Sequence, residues 1–220
     1  MTYSLSRKTA ETPKELSRRE RLNLQQRDEI LKTALRLFAE KSYPNVSMHE
    51  IAREAEFGMG TLYKFFGSKE DLYKALIVQM AQKWHHTVLQ ALEQERDPVR
   101  AIDKCITIHR ELFFDNLPFV HLFYNSAQIH VGPVSEPDLH KIRDQYLNKL
   151  ASIFERGIKA KVFRDGDPHH MALALYGIIL TFLFQMNEDP AGFRKGDELS
   201  SVRDIFLKGV MRNGDSNQNR

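Results

Sequence analysis

The sequence has one cysteine, Cys105, in 220 residues. No intramolecular disulfide is possible, and a reducing cytoplasm is the expected setting. Long apolar runs are scarce. The longest, Met171–Met186, covers sixteen residues and is interrupted by Thr181 and Gln185. A membrane-crossing helix needs roughly 20 apolar residues, so a buried helix is expected there. The N-terminus is polar and charged, without an apolar signal segment. Phosphate-cradling glycine loops and nucleophile elbows are missing too. "HEIAR" at 49–53 opens like a zinc-protease motif but has no second histidine. The pairs His85-His86 and His169-His170 are adjacent in sequence, so on a helix they point about 100° apart and make no two-ligand face. No catalytic residue, metal ligand or cofactor is expected, and an enzyme is not the expected reading.

Net charge is small at +3 but unevenly spread. Residues 1–84 carry 15 Lys/Arg against 11 Asp/Glu, a net of +4, and residues 85–220 carry 17 against 18, a net of −1. The positive excess favours a polyanionic partner for the first part of the chain. With 42% hydrophobic and 28% charged residues the chain is able to bury a sizeable core.

Helical periodicity and capping signals organise the rest. Residues 1–26 read as a flexible basic arm, with Arg18, Arg19 and Arg21 clustered at its end. A helix is expected from Arg27 on the stripe Ile30, Leu31, Ala34, Leu35 and Phe38. Pro44 and Asn45 break it, and Ser47 with Glu50 forms a capping-box signal for a second helix carrying Ile51, Ala52 and Ala55. Ser68 and Asp71 open a further long helix running to about Trp84 or beyond. Asp97-Pro98, Ser135-Glu-Pro-Asp138 and Asp167-Pro168 mark later starts, giving helices over about 98–115, 118–129, 136–160, 168–187 and 197–212. No alternating strand pattern appears after Trp84. The expected fold is all-α with about nine helices.

The stretch "GMGTLYKFF" at 58–66 has two glycines where a helix must fit. A short helix over about Met59–Phe66 turns Phe57, Leu62 and Phe66 inward and Thr61, Tyr63 and Lys64 to other sides. With small Ala55 at the crossing, this describes a helix-turn-helix, whose second helix enters the DNA major groove. Gly58 and Gly60 would then let the backbone come close to nucleic acid.

Residues 27–75 resemble the DNA-binding domain of the tetracycline-repressor (TetR) family of transcriptional regulators, through "ILKTALRLFAEKSY", "SMHEIAREAEFGMGTLYKFF" and "SKEDLYKAL". The resemblance implies double-stranded operator DNA as partner. It places Gly58, Met59 and Gly60 at the DNA-facing end of the recognition helix, with Thr61 and Tyr63 on phosphates or bases. Lys64 would read a base edge, with guanine favoured. Lys69 would hold a phosphate at the next helix N-terminus, and Ser47 would do the same or simply cap its helix. Three positions depart from the family pattern: Glu56 and Ser42 stand where glycine is common, and Phe65 where Tyr or His often sits.

For the remainder, 76–213, the resemblance implies an effector-binding and dimerisation domain, followed by a disordered tail at 214–220. The aromatic concentration Phe113, Phe119, Phe123 and Tyr124 would wall a pocket for a small apolar or aromatic effector, with His109, His121 or Asn125 as polar contacts. The last two helices would pair with their mates in a homodimer. Their expected interface residues are Met171, Leu175, Ile178 and Phe182 on one, and Val202, Phe206 and Val210 on the other. Two alternatives stay open: a redox-responsive regulator acting through Cys105, and a helical sensor or interaction protein without DNA binding.

Overall fold

A computed structural model describes residues 17–125, 137–189, 192 and 198–212. Among the described residues there are nine α-helices: α1 (Arg18–Lys41), α2 (Met48–Glu54), α3 (Met59–Phe65), α4 (Lys69–Glu93), α5 (Pro98–Asp115), α6 (Leu117–Asn125), α7 (Pro137–Lys159), α8 (Pro168–Glu188) and α9 (Glu198–Val210). A 3₁₀ turn, Tyr43–Asn45, links α1 to α2. The all-α expectation holds. Among the described residues, extended pairing is limited to a single antiparallel bridge between Phe163 and Met211.

Side-chain caps start most of these helices. Asp97 accepts from the N–H groups of Val99 and Arg100 at 2.8 and 3.0 Å, and Asp167 does the same for His169 and His170. Ser47 and Ser68 accept from Glu50 and Asp71. Neither completes a capping box, and the Glu50 carboxylate pairs with Lys41 instead.

The reciprocal box lies elsewhere, at Ser17 and Glu20. It starts α1 at Arg18, so residues 18–26, expected as part of a flexible arm, are helical. The S-x-x-E pattern at 17–20 is the local signal for this start. Residues 1–16, 126–129 and the tail from 214 lie outside the described residues.

Two hydrophobic clusters form. One joins α1, α2, α3 and the first half of α4 around Ile30, Ala34, Phe38, Ile51, Leu62, Leu72 and Tyr73. The other joins α5, α7, α8 and α9 around Phe113, Tyr146, Leu150, Phe154, Phe163, Leu175 and Phe206. Helix α4 runs straight through the expected domain boundary at residue 75, its first half packing in one cluster and its end in the other. Helix α6 also crosses the division. Its Phe119 and Leu122 are buried in the first cluster, whereas Val120 belongs to the second. The Tyr73 hydroxyl donates to the Leu122 carbonyl at 2.9 Å and ties α4 to α6.

Candidate nucleic-acid interface and ligand cavity

Helix α3 is held by its inner face. Leu62 is fully buried and Phe66 nearly so, and the turn from α2 is closed by the Phe57 N–H donating to the Ala52 carbonyl at 2.9 Å. Anchored in this way, α3 presents Tyr63 at 52% exposure, with Lys64 exposed beside it and Thr61 half-buried. A Cβ added at Gly58 or Gly60 would meet nothing within 4 Å, and Gly58 has an ordinary extended backbone. Neither glycine is required by the fold. Their effect is to leave the start of α3 bare, so an external surface can approach the backbone.

Two glycine departures have a conformational consequence. Ser42 and Glu56 both have positive φ, 64° and 59°. This region costs a side-chain-bearing residue about 1–3 kcal/mol when the surroundings force it. The turns are therefore the ones a glycine favours, built here with strain.

Lys64 and Lys69 differ from each other. Lys64 Nζ donates to Asn23 Oδ1 at 2.9 Å and lies 5.0 Å from the centre of the Phe65 ring. Asn23 sits on the helical stretch of α1 that was expected to be a loose arm, and no local sequence signal pairs residues 41 positions apart. Arg27, on the same helix, places its guanidinium 5.4 Å from the Phe66 ring centre. The first turns of α1 thus lie alongside α3.

Lys69 does not match its expected role. Its ammonium donates to the carbonyls of Tyr43 and Val46 at 2.9 and 2.8 Å, with Pro44 at 3.4 Å, and sits 4.3 Å from the Tyr43 ring centre. Burial lowers its pKa from the ordinary lysine value. Its three N–H groups close the 3₁₀ turn, so they are not directed at a phosphate. Ser47 uses only its acceptor capacity in the cap, which leaves its O–H able to donate.

Between α4, α5, α6, α7 and α8 lies a cavity of about 310 Å³. Of the residues expected to wall it, His109, Phe113, Phe119, Phe123 and Tyr124 do so. His121 does not: it is on the outer face of α6, exposed to solvent. The side chain of Asn125 lies outside the described residues. Trp84, His85, Arg143 and Tyr176 also line the cavity and were not anticipated. They come from three helices far apart in sequence, and their stripes alone do not show that the helices converge.

The cavity wall includes a buried polar chain. His109 Nδ1 lies 2.7 Å from the Cys105 carbonyl. A carbonyl only accepts, so Nδ1 carries the proton and Nε2 accepts from the Tyr146 hydroxyl at 3.3 Å. Cys105 Sγ, 3.2 Å from the same hydroxyl oxygen, completes the chain as donor. Desolvation lowers the His109 pKa to about 4 and pushes the Cys105 thiol up to about 12. At neutral pH both are neutral, and Cys105 is a buried thiol lacking thiolate reactivity. This geometry disfavours the redox alternative.

The expected dimer residues need a correction. Met171, Leu175, Val202, Phe206 and Val210 are all buried within their own subunit, because their stripes face α5 and α7. Ile178 and Phe182 are half-buried. The outward faces instead carry Leu173 and Phe184 on α8, 53% and 46% exposed, and Ile205 on α9, 71% exposed. At 21 residues α8 is long and apolar enough to cross a membrane, yet its inner face is core.

The signature of the bacterial regulatory proteins of the tetR family matches residues 30–76. The chain is 34% identical to the HTH-type transcriptional regulator YxaF of Bacillus subtilis (strain 168) over 154 residues, which cover 70% of this chain and 80% of that protein. It is 21% identical to the HTH-type transcriptional repressor NicS of Pseudomonas putida, covering 84% of this chain and 92% of the relative. Among solved structures, the TetR-family transcriptional regulator PfmR of Thermus thermophilus superposes with a TM-score of 0.65 at 25% identity, over 83% of this chain and 99% of that one. A helix-turn-helix seated on a helical domain, with these relatives, identifies a DNA-binding protein that regulates transcription: the chain belongs to the TetR family of transcriptional regulators.

Proposed function

We propose that the protein is a cytoplasmic, homodimeric repressor, with no enzymatic role, that is released from a pseudo-palindromic operator by a small apolar or aromatic effector. Helix α6 carries the effector part of this reading. Phe119 lines the cavity and is buried in the same cluster as Ile51 and Leu62 of the helix-turn-helix. A ligand that displaces Phe119 or Phe123 therefore moves a helix bonded to α4 through Tyr73 and Leu122. The consequence is a population shift: the effector favours the arrangement in which the two recognition helices no longer match the half-site spacing. A coupling of about 1–3 kcal/mol is enough to change operator affinity roughly 5- to 150-fold.

The outward apolar faces of α8 and α9, with Leu173, Phe184 and Ile205 exposed, support a two-fold dimer through those helices. On the DNA side, Tyr63 contacts a phosphate and Lys64 exchanges Asn23 for a guanine edge. Arg18 and Arg19 on the exposed start of α1 add backbone contacts. Repression accords with the relative NicS, itself named a repressor.

The test is recovery of operator fragments from bacterial genomic DNA, then titration at two salt concentrations with Tyr63→Ala, Lys64→Ala and Ile205→Asp beside the wild type. A shared palindrome, steep salt dependence, loss of affinity in the first two variants and a monomer in the third support the reading. If Tyr63→Ala and Lys64→Ala bind as well as wild type, the assignment of α3 to the groove is wrong.

A further inference from the structure

The cavity wall is not uniformly apolar, and its unsatisfied groups specify a ligand. His85 lines it with Nδ1 at 2.8 Å from the Ala81 carbonyl. That bond fixes the proton on Nδ1 and leaves Nε2 as a bare acceptor, with no partner among the described residues. Burial lowers the His85 pKa, so the ring stays neutral and Nε2 keeps its lone pair.

Tyr176 also lines the cavity, its ring centre 6.4 Å from that of His85. Its hydroxyl has no hydrogen-bond partner among the described residues. Tyr124 differs, because its hydroxyl already donates to the Leu180 carbonyl at 3.2 Å. His109 is likewise satisfied at both nitrogens. One acceptor and one hydroxyl therefore belong to the same aromatic wall, on rings whose centres are 6.4 Å apart.

The charge of the wall narrows the choice. Among the described residues no Asp or Glu lines the cavity, and its permanent charge is the Arg143 guanidinium, which is paired with Asp144 on the outer side at 3.0 Å. An aromatic cage attracts cations through its ring faces, but here a cation would meet a positive group and no carboxylate.

We propose that the cavity binds an uncharged hydroxylated aromatic compound of the phenol class, its hydroxyl donating to His85 Nε2 and accepting from Tyr176 Oη while its ring is enclosed by Trp84 and the phenylalanines. This rests on the effector reading above but specifies chemistry that reading leaves open. A ligand lacking the hydroxyl leaves both groups desolvated and unpaired, which is how a polar site rejects an apolar analogue.

Trp84 is the sole tryptophan, so its fluorescence reports occupancy. The experiment titrates full-length protein with 4-ethylphenol, ethylbenzene and benzyltrimethylammonium by calorimetry and Trp84 fluorescence, in wild type, His85→Phe and Tyr176→Phe. Tyr176→Phe removes a single oxygen and keeps the inference testable if His85→Phe does not fold. The expected result is about tenfold tighter binding of 4-ethylphenol than of ethylbenzene, as for one or two hydrogen bonds, reduced toward parity in either variant, with the cation weakest. Equal binding of phenol and ethylbenzene by wild type, a preference that survives both substitutions, tightest binding of the cation, or no binding of any probe overturns the inference. Operator release is measured separately. If 4-ethylphenol binds as expected and DNA stays bound, the ligand chemistry stands and the release mechanism falls; if ethylbenzene binds equally and releases DNA, the reverse holds.

Discussion

The two cores of this protein treat polarity and space differently. The core beneath the recognition helix is filled with Ile, Leu, Ala and Phe, and polar groups meet it mainly at the edge, where Lys69 closes the 3₁₀ turn. The core behind the cavity buries His109, Cys105 and Tyr146 and keeps about 310 Å³ open. A surface that must match DNA needs rigid support, and here the 3₁₀ turn between α1 and α2 is pinned by a partly buried ammonium. A sensor needs room and spare hydrogen-bonding groups, and it holds them in place with a satisfied polar chain. The cost falls on the second core, and that asymmetry can be tested.

The largest expected effect comes from acid. Folding holds His109 neutral down to about pH 4, whereas the unfolded chain binds that proton near 6.5. Between those values the unfolded state carries more protons, so stability falls as pH is lowered from 6.5 to 4 and flattens below. The shift corresponds to about 3 kcal/mol. Urea unfolding across this range measures it, and His109→Asn, which keeps a donor for the Cys105 carbonyl, should flatten the slope; an unchanged slope would assign the loss to other groups.

Next in size is Gly157→Ala. Phe163 lies over Gly157 in the second core, and a Cβ there would come within 2.1 Å of the ring. Overpacking of this kind costs typically about 1–3 kcal/mol, so a lowered denaturation midpoint is expected. Operator affinity of the folded fraction should be retained, because the first core is untouched. Tyr73→Phe follows, at about 1–2 kcal/mol, since the Leu122 carbonyl loses its buried donor. It also removes the α4–α6 hydrogen bond, so an effector should shift DNA affinity less in this variant than in wild type.

How much of this was legible in the sequence follows the range of each interaction. Helix starts are local: Asp97, Asp167, Ser47 and Ser68 cap within three residues, and each helix they open was expected. Glu56 and Ser42 stood out as departures from glycine, and both have positive φ. What stayed hidden depends on which face of a helix turns inward. In α8 the apolar residues surround the helix, so Met171 and Leu175 could not be told from Leu173 and Phe184 until α7 was in place. Lys69 looked like an anion ligand because a helix N-terminus favours anions; its carbonyl partners lie 23 to 26 positions away.

The smallest expected effect separates structure from function most cleanly. Gly60 is inside α3, and a methyl group added to it would meet nothing within 4 Å. Gly60→Ala should therefore stabilise the fold by about 0.5–1 kcal/mol through helix propensity. The same methyl would stand between the α3 backbone and a DNA surface. Operator affinity is then expected to fall about tenfold, or about 1.4 kcal/mol, while the melting temperature rises. In the second core, alanine at Gly157 should do the opposite, lowering stability and sparing affinity. If Gly60→Ala binds operator as well as wild type does, close backbone approach is not why this position lacks a side chain, and Tyr63 and Lys64 would have to engage DNA with α3 standing farther from the groove.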